Sequence, residues 1–201
     1  HDALPISAFV GAGGGNVVSA VASSIVGGQS NTLSSCYSFI GGGQSNLLSG
    51  CLSTIVGGNN NTASAIRTVI VGGNNNTAAG VWSSVVGGCR NLNNGVSAFI
   101  GSGISNNVCN LTSGCLAIGS VVVGRVGNNT TGGTWSLPTC TFAVAPTICN
   151  AGSMSFIGAG FQNRAGGDCS FVGSGRTNSS SRTYSFVGGG LSNCSTSNTS
   201  V

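Results

Sequence analysis

The chain has almost no titratable side chains. Its 201 residues include six arginines, two acidic residues and one histidine, with no lysine and no glutamate. General acid–base catalysis, catalytic triads and paired carboxylates all need titratable groups held close together. The histidine and Asp2 lie in residues 1–6, which we expect to be an artefact, so Asp168 is the one acidic residue that remains. We therefore predict that the protein is not an enzyme.

Three further kinds of site lack the residues that they require. No apolar run approaches the roughly 20 residues that span a bilayer, so no membrane segment is expected in this sequence. No CxxC or cysteine–histidine spacing occurs, so neither a metal nor another cofactor is expected. Nucleic-acid binding needs clustered basic residues, and no nucleic-acid partner is expected because the arginines are scattered, at Arg67, Arg90, Arg125, Arg164, Arg176 and Arg182.

Both ends of the sequence need separate treatment. Residues 1–6 read HDALPI, which is the translation of CAC GAC GCT CTT CCG ATC, the end of a common sequencing-library adaptor. We therefore expect residues 1–6 to be an artefact and exclude them from the prediction of the fold. Val201 falls partway through a repeat, so we expect a fragment whose final repeat is truncated.

A strict repeat of fifteen residues dominates the rest of the chain. A glycine lies three residues before each repeated asparagine and a β-branched residue six before it, as Gly43 and Ile40 do for Asn46. The repeated asparagines are Asn16, Asn31, Asn46, Asn61, Asn76, Asn91, Asn106, Asn163, Asn178 and Asn193. A short fixed period is typical of solenoids, whose units stack because none can bury its own apolar face. We predict an all-β protein, a parallel β-solenoid of coils of about fifteen residues, with about thirteen coils.

Each repeat predicts a short strand, a glycine turn and a second extended piece. Alternate side chains of a strand face the same way, so Ile40 and Ser38 are expected to point into the coil. The glycine is expected to adopt a positive φ. Each asparagine is expected to stack on its counterpart one coil away and to form a structural ladder of amide hydrogen bonds. The expected inward column is Ile25, Ile40, Ile55, Ile70, Val85 and Ile100.

Two positions on the opposite face of the first strand vary together. Six repeats place phenylalanine there with glycine two residues later, as in Phe39 and Gly41, and four place a smaller residue followed by valine, as in Thr54 and Val56. Volume is conserved in this way where space is tight, so we expect this face to be buried against another chain or a covering segment. In a rival alignment, the Ile-Val pair of one repeat is placed in register with the Phe-Ile pair of another. The two positions then no longer compensate each other in volume.

The repeat is interrupted between Asn106 and Asn163. Matching Ile100 to Ile118, Phe142 and then Ile157 puts the largest excess at residues 124–133. We therefore divide the chain into solenoid repeats at 7–123, an irregular insertion at 124–141 and further repeats at 142–201.

Insertions in solenoids form loops on one face, which is often the binding face. Arginine and tryptophan are common in contact hot spots, and polar asparagines accompany them here. The candidate ligand contacts in the insertion are Arg125, Asn128, Asn129 and Trp135. The alternative is a decayed repeat with no role in binding.

Two of the nine cysteines, Cys36 and Cys51, occupy the same position in adjacent repeats, where other repeats have Val21 or Ile66. This equivalence favours a small buried hydrophobic residue. Stacked Cα atoms about 4.8 Å apart would also permit a disulfide.

Residues 38–46, SFIGGGQSN, and residues 54–64, TIVGGNNNTAS, resemble the head repeats of trimeric autotransporter adhesins. They are also similar to repeats in phage and giant-virus tail fibres. The piece Leu116-Ala117-Ile118-Gly119 is close to the Ala-Ile-Gly signature of the adhesins. The resemblance implies a left-handed β-roll in each of three chains that pack side by side as a homotrimer.

The resemblance implies a structural fibre or adhesin head that presents a repetitive surface for attachment to a host-surface receptor or glycan. It also implies an extracellular location, on a cell surface or a virion. The alternative is an ice-binding β-solenoid, which needs a flat array of identical short hydroxyl side chains. No column of this sequence repeats Thr-x-Thr.

Overall fold

A computed structural model describes residues 7–109, 117–136, 139 and 141–198. Residues 1–6, residues 110–116, which include Leu116 of the Ala-Ile-Gly signature, residues 137, 138 and 140 of the predicted insertion, and residues 199–201 lie outside this set. The described residues form 25 short strands and no helix, and therefore no helix that is long and apolar enough to cross a membrane. The strands are β1 Phe9–Val10, β2 Val17–Val18, β3 Ser24–Ile25, β4 Thr32–Leu33, β5 Phe39–Ile40, β6 Leu47–Leu48, β7 Thr54–Ile55, β8 Thr62–Ala63, β9 Val69–Ile70, β10 Thr77–Ala78, β11 Ser84–Val85, β12 Leu92–Asn93, β13 Phe99–Ile100, β14 Asn107–Val108, β15 Val121–Val122, β16 Thr130–Thr131, β17 Thr134–Ser136, β18 Thr141–Val144, β19 Thr147–Ile148, β20 Phe156–Ile157, β21 Arg164–Ala165, β22 Phe171–Val172, β23 Ser179–Ser180, β24 Phe186–Val187 and β25 Cys194–Ser195.

The chain winds as an all-β parallel β-solenoid of about fifteen residues per coil, as predicted, with about twelve coils rather than thirteen. The first sheet has eleven parallel strands, in the order β1-β3-β5-β7-β9-β11-β13-β15-β20-β22-β24. The second sheet is split into a seven-stranded part, β2 to β14, and a three-stranded part, β21-β23-β25. Between the sheets a column of single parallel bridges, here named the bridge column, links residues such as Gln29 and Gln44. Each coil therefore contributes to three columns of parallel pairing.

The interior is filled from the first and second sheets. The predicted inward column is confirmed, since all its members are 0% exposed, and it continues through Val122, Ile157 and Val172. Ile25 pairs in register with Ile40, so the rival alignment is wrong. Small and large residues of the second sheet face this column, namely Leu33, Leu48, Ala63, Ala78 and Val108.

Ser38 also lies inside the coil, as its spacing from Ile40 predicts. Its backbone N–H donates to the hydroxyl of Ser23, and the backbone N–H of Ser53 donates to the hydroxyl of Ser38, both at 3.2 Å. The Ser38 hydroxyl donates to the Gly50 carbonyl at 3.1 Å. The buried Ser38 hydroxyl therefore has hydrogen-bond partners in its own and neighbouring coils, whereas the hydroxyls of the equivalent Ser83 and Ser170 have none among the described residues.

Three turn positions in a regular coil have positive φ, and only one of them is regularly glycine. The predicted glycine has φ near +90°, as at Gly58 (92°). The residue before each asparagine and the residue six after it are also left-handed, although most are not glycine, as at Ser45 (55°) and Leu52 (58°). The sequence pattern did not reveal these two positions, because side chains other than glycine occupy the left-handed region at a cost that stacking offsets.

Gly58 and Gly57 offer a matched test of this geometry. A Cβ at Gly58 would lie 2.3 Å from the Gly73 carbonyl oxygen, whereas a Cβ at Gly57 meets nothing within 4 Å. We expect Gly58→Ala to lower the free energy of unfolding by about 3 kcal/mol, from strain and steric overlap. Gly57→Ala is expected to leave it within about 0.5 kcal/mol. Urea unfolding followed by circular dichroism measures both, and equal midpoints would contradict the assignment of the strained turn to Gly58.

The interruption differs from the sequence prediction. Val122 pairs with both Ile100 and Ile157, whereas Ile118 is exposed and Phe142 lies in an antiparallel strand. The matching of Ile100 to Ile118 and Phe142 is therefore wrong. The alignment failed because Arg125, with φ of 74°, stands at the turn position where the other coils have glycine, so the glycine pattern did not identify this coil.

The excess residues fall in two places rather than one. The step from Asn106 to Asn128 is 22 residues and the step from Asn128 to Asn163 is 35, so the two steps exceed the period by about seven and about twenty residues. The described residues of the second excess, within 130–148, pair as antiparallel strands, β16 with β19 and β17 with β18. We name residues 130–148 the hairpin arm. The sequence placed the insertion at 124–141, whereas residues 124–129 belong to a regular coil.

Candidate functional site

The ten repeated asparagines, with Asn128 between Asn106 and Asn163, form a continuous column along the solenoid, and all but the terminal Asn16 and Asn193 are buried. The Asn46 amide group donates to the carbonyls of Gly42 and Gly58 and to Oδ1 of Asn31, each at 3.0 Å. Its Oδ1 accepts from the backbone N–H of Asn61 at 3.0 Å and from the Asn61 amide at 3.2 Å. One side chain thus ties together the turns of its own coil and both neighbouring coils.

Two of the four candidate ligand contacts are buried in this framework. Asn128 continues the asparagine column, because its backbone N–H and its amide both donate to Oδ1 of Asn106, and its own Oδ1 accepts from the Asn163 backbone N–H. Its side chain is 0% exposed. The prediction that Asn128 faces a ligand does not fit this position, since the side chain is enclosed by neighbouring coils.

Asn129 replaces a missing strand of the second sheet. The chain leaves the coil here for the hairpin arm, so β14 and β21 are not neighbours in a sheet. The Asn129 amide donates to the Asn107 carbonyl and its Oδ1 accepts from the Ala165 backbone N–H, both at 3.0 Å. Its buried side chain therefore spans the gap as a backbone unit would, and it too is not presented to a ligand.

The structure separates the other two candidates. Arg125 is exposed at a turn of the solenoid, whereas Trp135 is half-buried in the hairpin arm. Trp135 meets the rings of Phe142 and Phe161 edge-on, with centroids 5.2 and 5.9 Å apart. The Gln162 amide donates to the Gly132 carbonyl. These contacts hold the arm against the coil that contains Phe161.

The residue types in the bridge column indicate where the hairpin arm packs on the solenoid. It is polar in the early coils, with Gln29, Gln44, Asn59 and Asn74, and apolar later, with Ile104, Val126 and Phe161. The change is visible in the sequence, because Ile104 and Phe161 lie two residues before Asn106 and Asn163. The sequence analysis did not compare this position between repeats and therefore did not detect Phe161, Gln162 or Arg176 as candidates.

A groove of about 620 Å³ lies between the hairpin arm and the solenoid. The Arg176 guanidinium lies 5.3 Å from the centroid of the Phe161 ring. The described residues that line the groove are Gly133, Thr134, Trp135, Phe161, Gln162 and Arg176. We name this space the arm groove.

A second, smaller depression of about 230 Å³ shares Gln162 with the arm groove and includes Thr130, Cys149 and Arg164. Burial raises the pKa of the Cys149 thiol, and the positive charge of Arg164 opposes this shift. The thiol therefore stays protonated at neutral pH and is not a thiolate nucleophile. The described residues contain no group of three or more His, Cys, Asp or Glu side chains placed to hold a metal ion.

Two positions on the outer face of the first sheet vary together, as phenylalanine with glycine or as a smaller residue with valine. The structure gives this variation a different cause from the predicted one. A Cβ built on Gly41 would lie 2.4 Å from the Val56 carbonyl oxygen of the neighbouring coil and 3.3 Å from the ring of Phe39, so the chain itself leaves no room for a side chain beside the phenylalanine. Valine occupies this position where the first side chain is smaller, and Val121 with Val123 adds an eleventh example. The compensation therefore arises within a single chain and does not require a second one.

This face is nevertheless solvent-exposed in the single chain. Phe39 is 37% exposed and Val56 is 49% exposed. In the later coils the rings of Phe156, Phe171 and Phe186 stack with centroids 5.0 and 4.9 Å apart. The first sheet thus presents a continuous apolar surface.

The turn that precedes the first sheet is also apolar. Cys36 and Cys51 lie here as free, half-buried thiols, and the guanidinium of Arg67 stacks over Trp82 at 5.8 Å. We name this edge the apolar corner, and its exposed members include Val21, Tyr37, Leu52, Ile66, Val81 and Trp82.

Comparison with known proteins identified no relative. No protein-family model matches the sequence, and no curated protein matches it. We therefore infer the function from the first sheet, the apolar corner and the arm groove.

Proposed function

We propose that the protein is a structural fibre or adhesin-head segment that assembles as a homotrimer and presents its polar surfaces for attachment. The supporting observation is the distribution of exposed apolar side chains. Most of the large ones lie on the first sheet or on the apolar corner, whereas the early bridge column is formed by glutamine and asparagine. A protein that works outside the cell, on a cell surface or a virion, fits this design.

The size of the apolar surface favours a permanent partner. Eleven strands at about 4.8 Å each give the first sheet a length of about 50 Å. With the apolar corner beside it, this surface exceeds the few hundred Å² that soluble monomers usually expose. Burial of this surface is therefore a strong driving force for association.

The partner is most simply another copy of the chain. The exposed rows repeat once per coil, and a partner that fits them along their whole length needs the same spacing. The first sheet and the apolar corner are adjacent surfaces, so the sheet of one chain can pack on the corner of the next. Such a heterologous contact closes into a ring, and three copies form the smallest ring.

Ice binding is less well supported. The outward column of the second sheet reads Val17, Thr32, Leu47, Thr62, Thr77 and Leu92. Leucine and valine interrupt the threonines, so the column is not a uniform array of short hydroxyl side chains. Attachment through a polar fibre surface remains the proposal.

Sedimentation equilibrium of the intact chain tests the assembly. We expect a single species with three times the chain mass of 19.5 kDa. The species should persist on dilution to low micromolar concentration, because its interface is largely apolar. A monomer at these concentrations would overturn the proposal, and a stable dimer would overturn its three-fold arrangement.

A further inference from the structure

We propose that the arm groove binds a carboxylated saccharide. This inference rests on the attachment function proposed above and names the class of ligand. The groove lies within one chain, so its binding can be tested separately from assembly.

The arm groove has a charge that is free to bind an anion. Among the described residues, the guanidinium of Arg176 has no hydrogen-bond or ion-pair partner, and it lies over the ring of Phe161. No acidic residue is among the described residues that line the groove, and Asp168 accepts a hydrogen bond from the backbone N–H of Ser153 elsewhere. A guanidinium of this kind binds a carboxylate through two parallel hydrogen bonds.

The remaining lining suits a sugar ring better than a bare anion. Trp135 and Phe161 provide apolar rings, while Thr134 and Gln162 provide polar side chains beside them. A saccharide has the matching chemistry, with apolar C–H faces and a rim of hydroxyl groups. The volume of about 620 Å³ is within the range of small-molecule sites.

The position of the groove also fits a role in recognition. Regular coils present similar surfaces at each level, whereas the hairpin arm leaves the solenoid at one place in the described chain, where the second sheet is split, and packs on the bridge column at Phe161. The bridge column is separate from the first sheet. The groove therefore stays open when the first sheet is covered in an assembly.

Tri-galacturonate is the probe, with galactotriose as the uncharged counterpart and tri-glutamate as a ringless anion. In a Trp82→Phe background, Trp135 is the only tryptophan, so its fluorescence reports the groove. We expect tri-galacturonate to change this fluorescence saturably. Arg176→Gln is expected to weaken binding at least about tenfold, and Arg125→Gln, which removes an exposed arginine outside the groove, less than about twofold.

No saturable binding of tri-galacturonate, or equal affinity of the Arg176→Gln variant, would overturn the proposal. Equal binding of galactotriose would show that the carboxylate is not recognised, and equal binding of tri-glutamate would show a site for any anion; both exclude the proposed ligand. The Val71→Asp variant, designed to be monomeric, should bind tri-galacturonate unchanged. For the parent chain, absence of trimers with retained binding would overturn only the assembly, and trimers without binding would overturn only the ligand site.

Discussion

Asn61→Asp is expected to destabilise the solenoid by about 5 kcal/mol at neutral pH, since it places an acceptor-only charge in a buried column. The Asn61 amide donates to the carbonyls of Gly57 and Gly73 and to Oδ1 of Asn46. A carboxylate cannot donate to these three oxygens and is repelled by them. Only the hydrogen bond accepted from the backbone N–H of Asn76 survives the change.

Asn60→Asp is the matched control. Asn60 is the neighbouring residue, exposed and left-handed with φ of 55°, a conformation that aspartate also tolerates. Both variants add the same charge, so a difference between their urea midpoints at one protein concentration reports burial. Equal midpoints would show that the ladder contributes little to stability.

The pH dependence gives a second measurement for Asn61→Asp. Burial raises the folded-state pKa of the introduced carboxyl above its unfolded value of about 3.9. The variant is therefore least destabilised below that value, where the group is protonated in both states, and loses stability as the pH rises through it. The Asn60→Asp control should show no such trend.

Val71→Asp is expected to convert the proposed trimer into monomers. Val71 lies on the outer face of the first sheet and is 45% exposed in the single chain. In the assembly its carboxylate would be removed from water against a largely apolar surface, and the outer face of its own sheet carries no lysine or arginine near that coil. An unpaired buried charge costs several kcal/mol, and every chain of a symmetric assembly would carry one.

Gln44→Asp places the same charge on the bridge column, where Gln44 is exposed. Sedimentation equilibrium should give a trimer for this control and a monomer for Val71→Asp. Circular dichroism of both variants should match that of the parent, since neither side chain lies inside the coil. An unchanged mass for Val71→Asp would show that the first sheet is not the interface.

The repeat of the sequence was sufficient to predict the coil. An asparagine, a glycine and a β-branched residue at fixed offsets define two strands and a turn, and Ile40 with its equivalents stacks in the interior as the spacing indicates. This works because parallel stacking of identical units repeats one local solution, so each residue type reports the same environment in every coil.

The interruption needed the tertiary structure. Asn128 and Asn129 look like loop residues in the sequence, but hydrogen bonds to coils 22 and 35 residues away place them inside the solenoid. The same long-range contacts define the hairpin arm and bring Trp135 to Phe161 and Arg176. Sequence periodicity cannot locate such contacts, because they depend on where the chain leaves the repeat and returns to it.

The outer face shows the same division between sequence and structure. The sequence determined that phenylalanine with glycine and a small residue with valine occupy equal space, and from this we inferred a covering chain. Only the tertiary structure showed that the ring of Phe39 and the Val56 carbonyl of the neighbouring coil leave no room for a side chain at Gly41, while that face stays exposed. A sequence pattern records that a volume is conserved, whereas the direction of the side chain decides which atoms fill it.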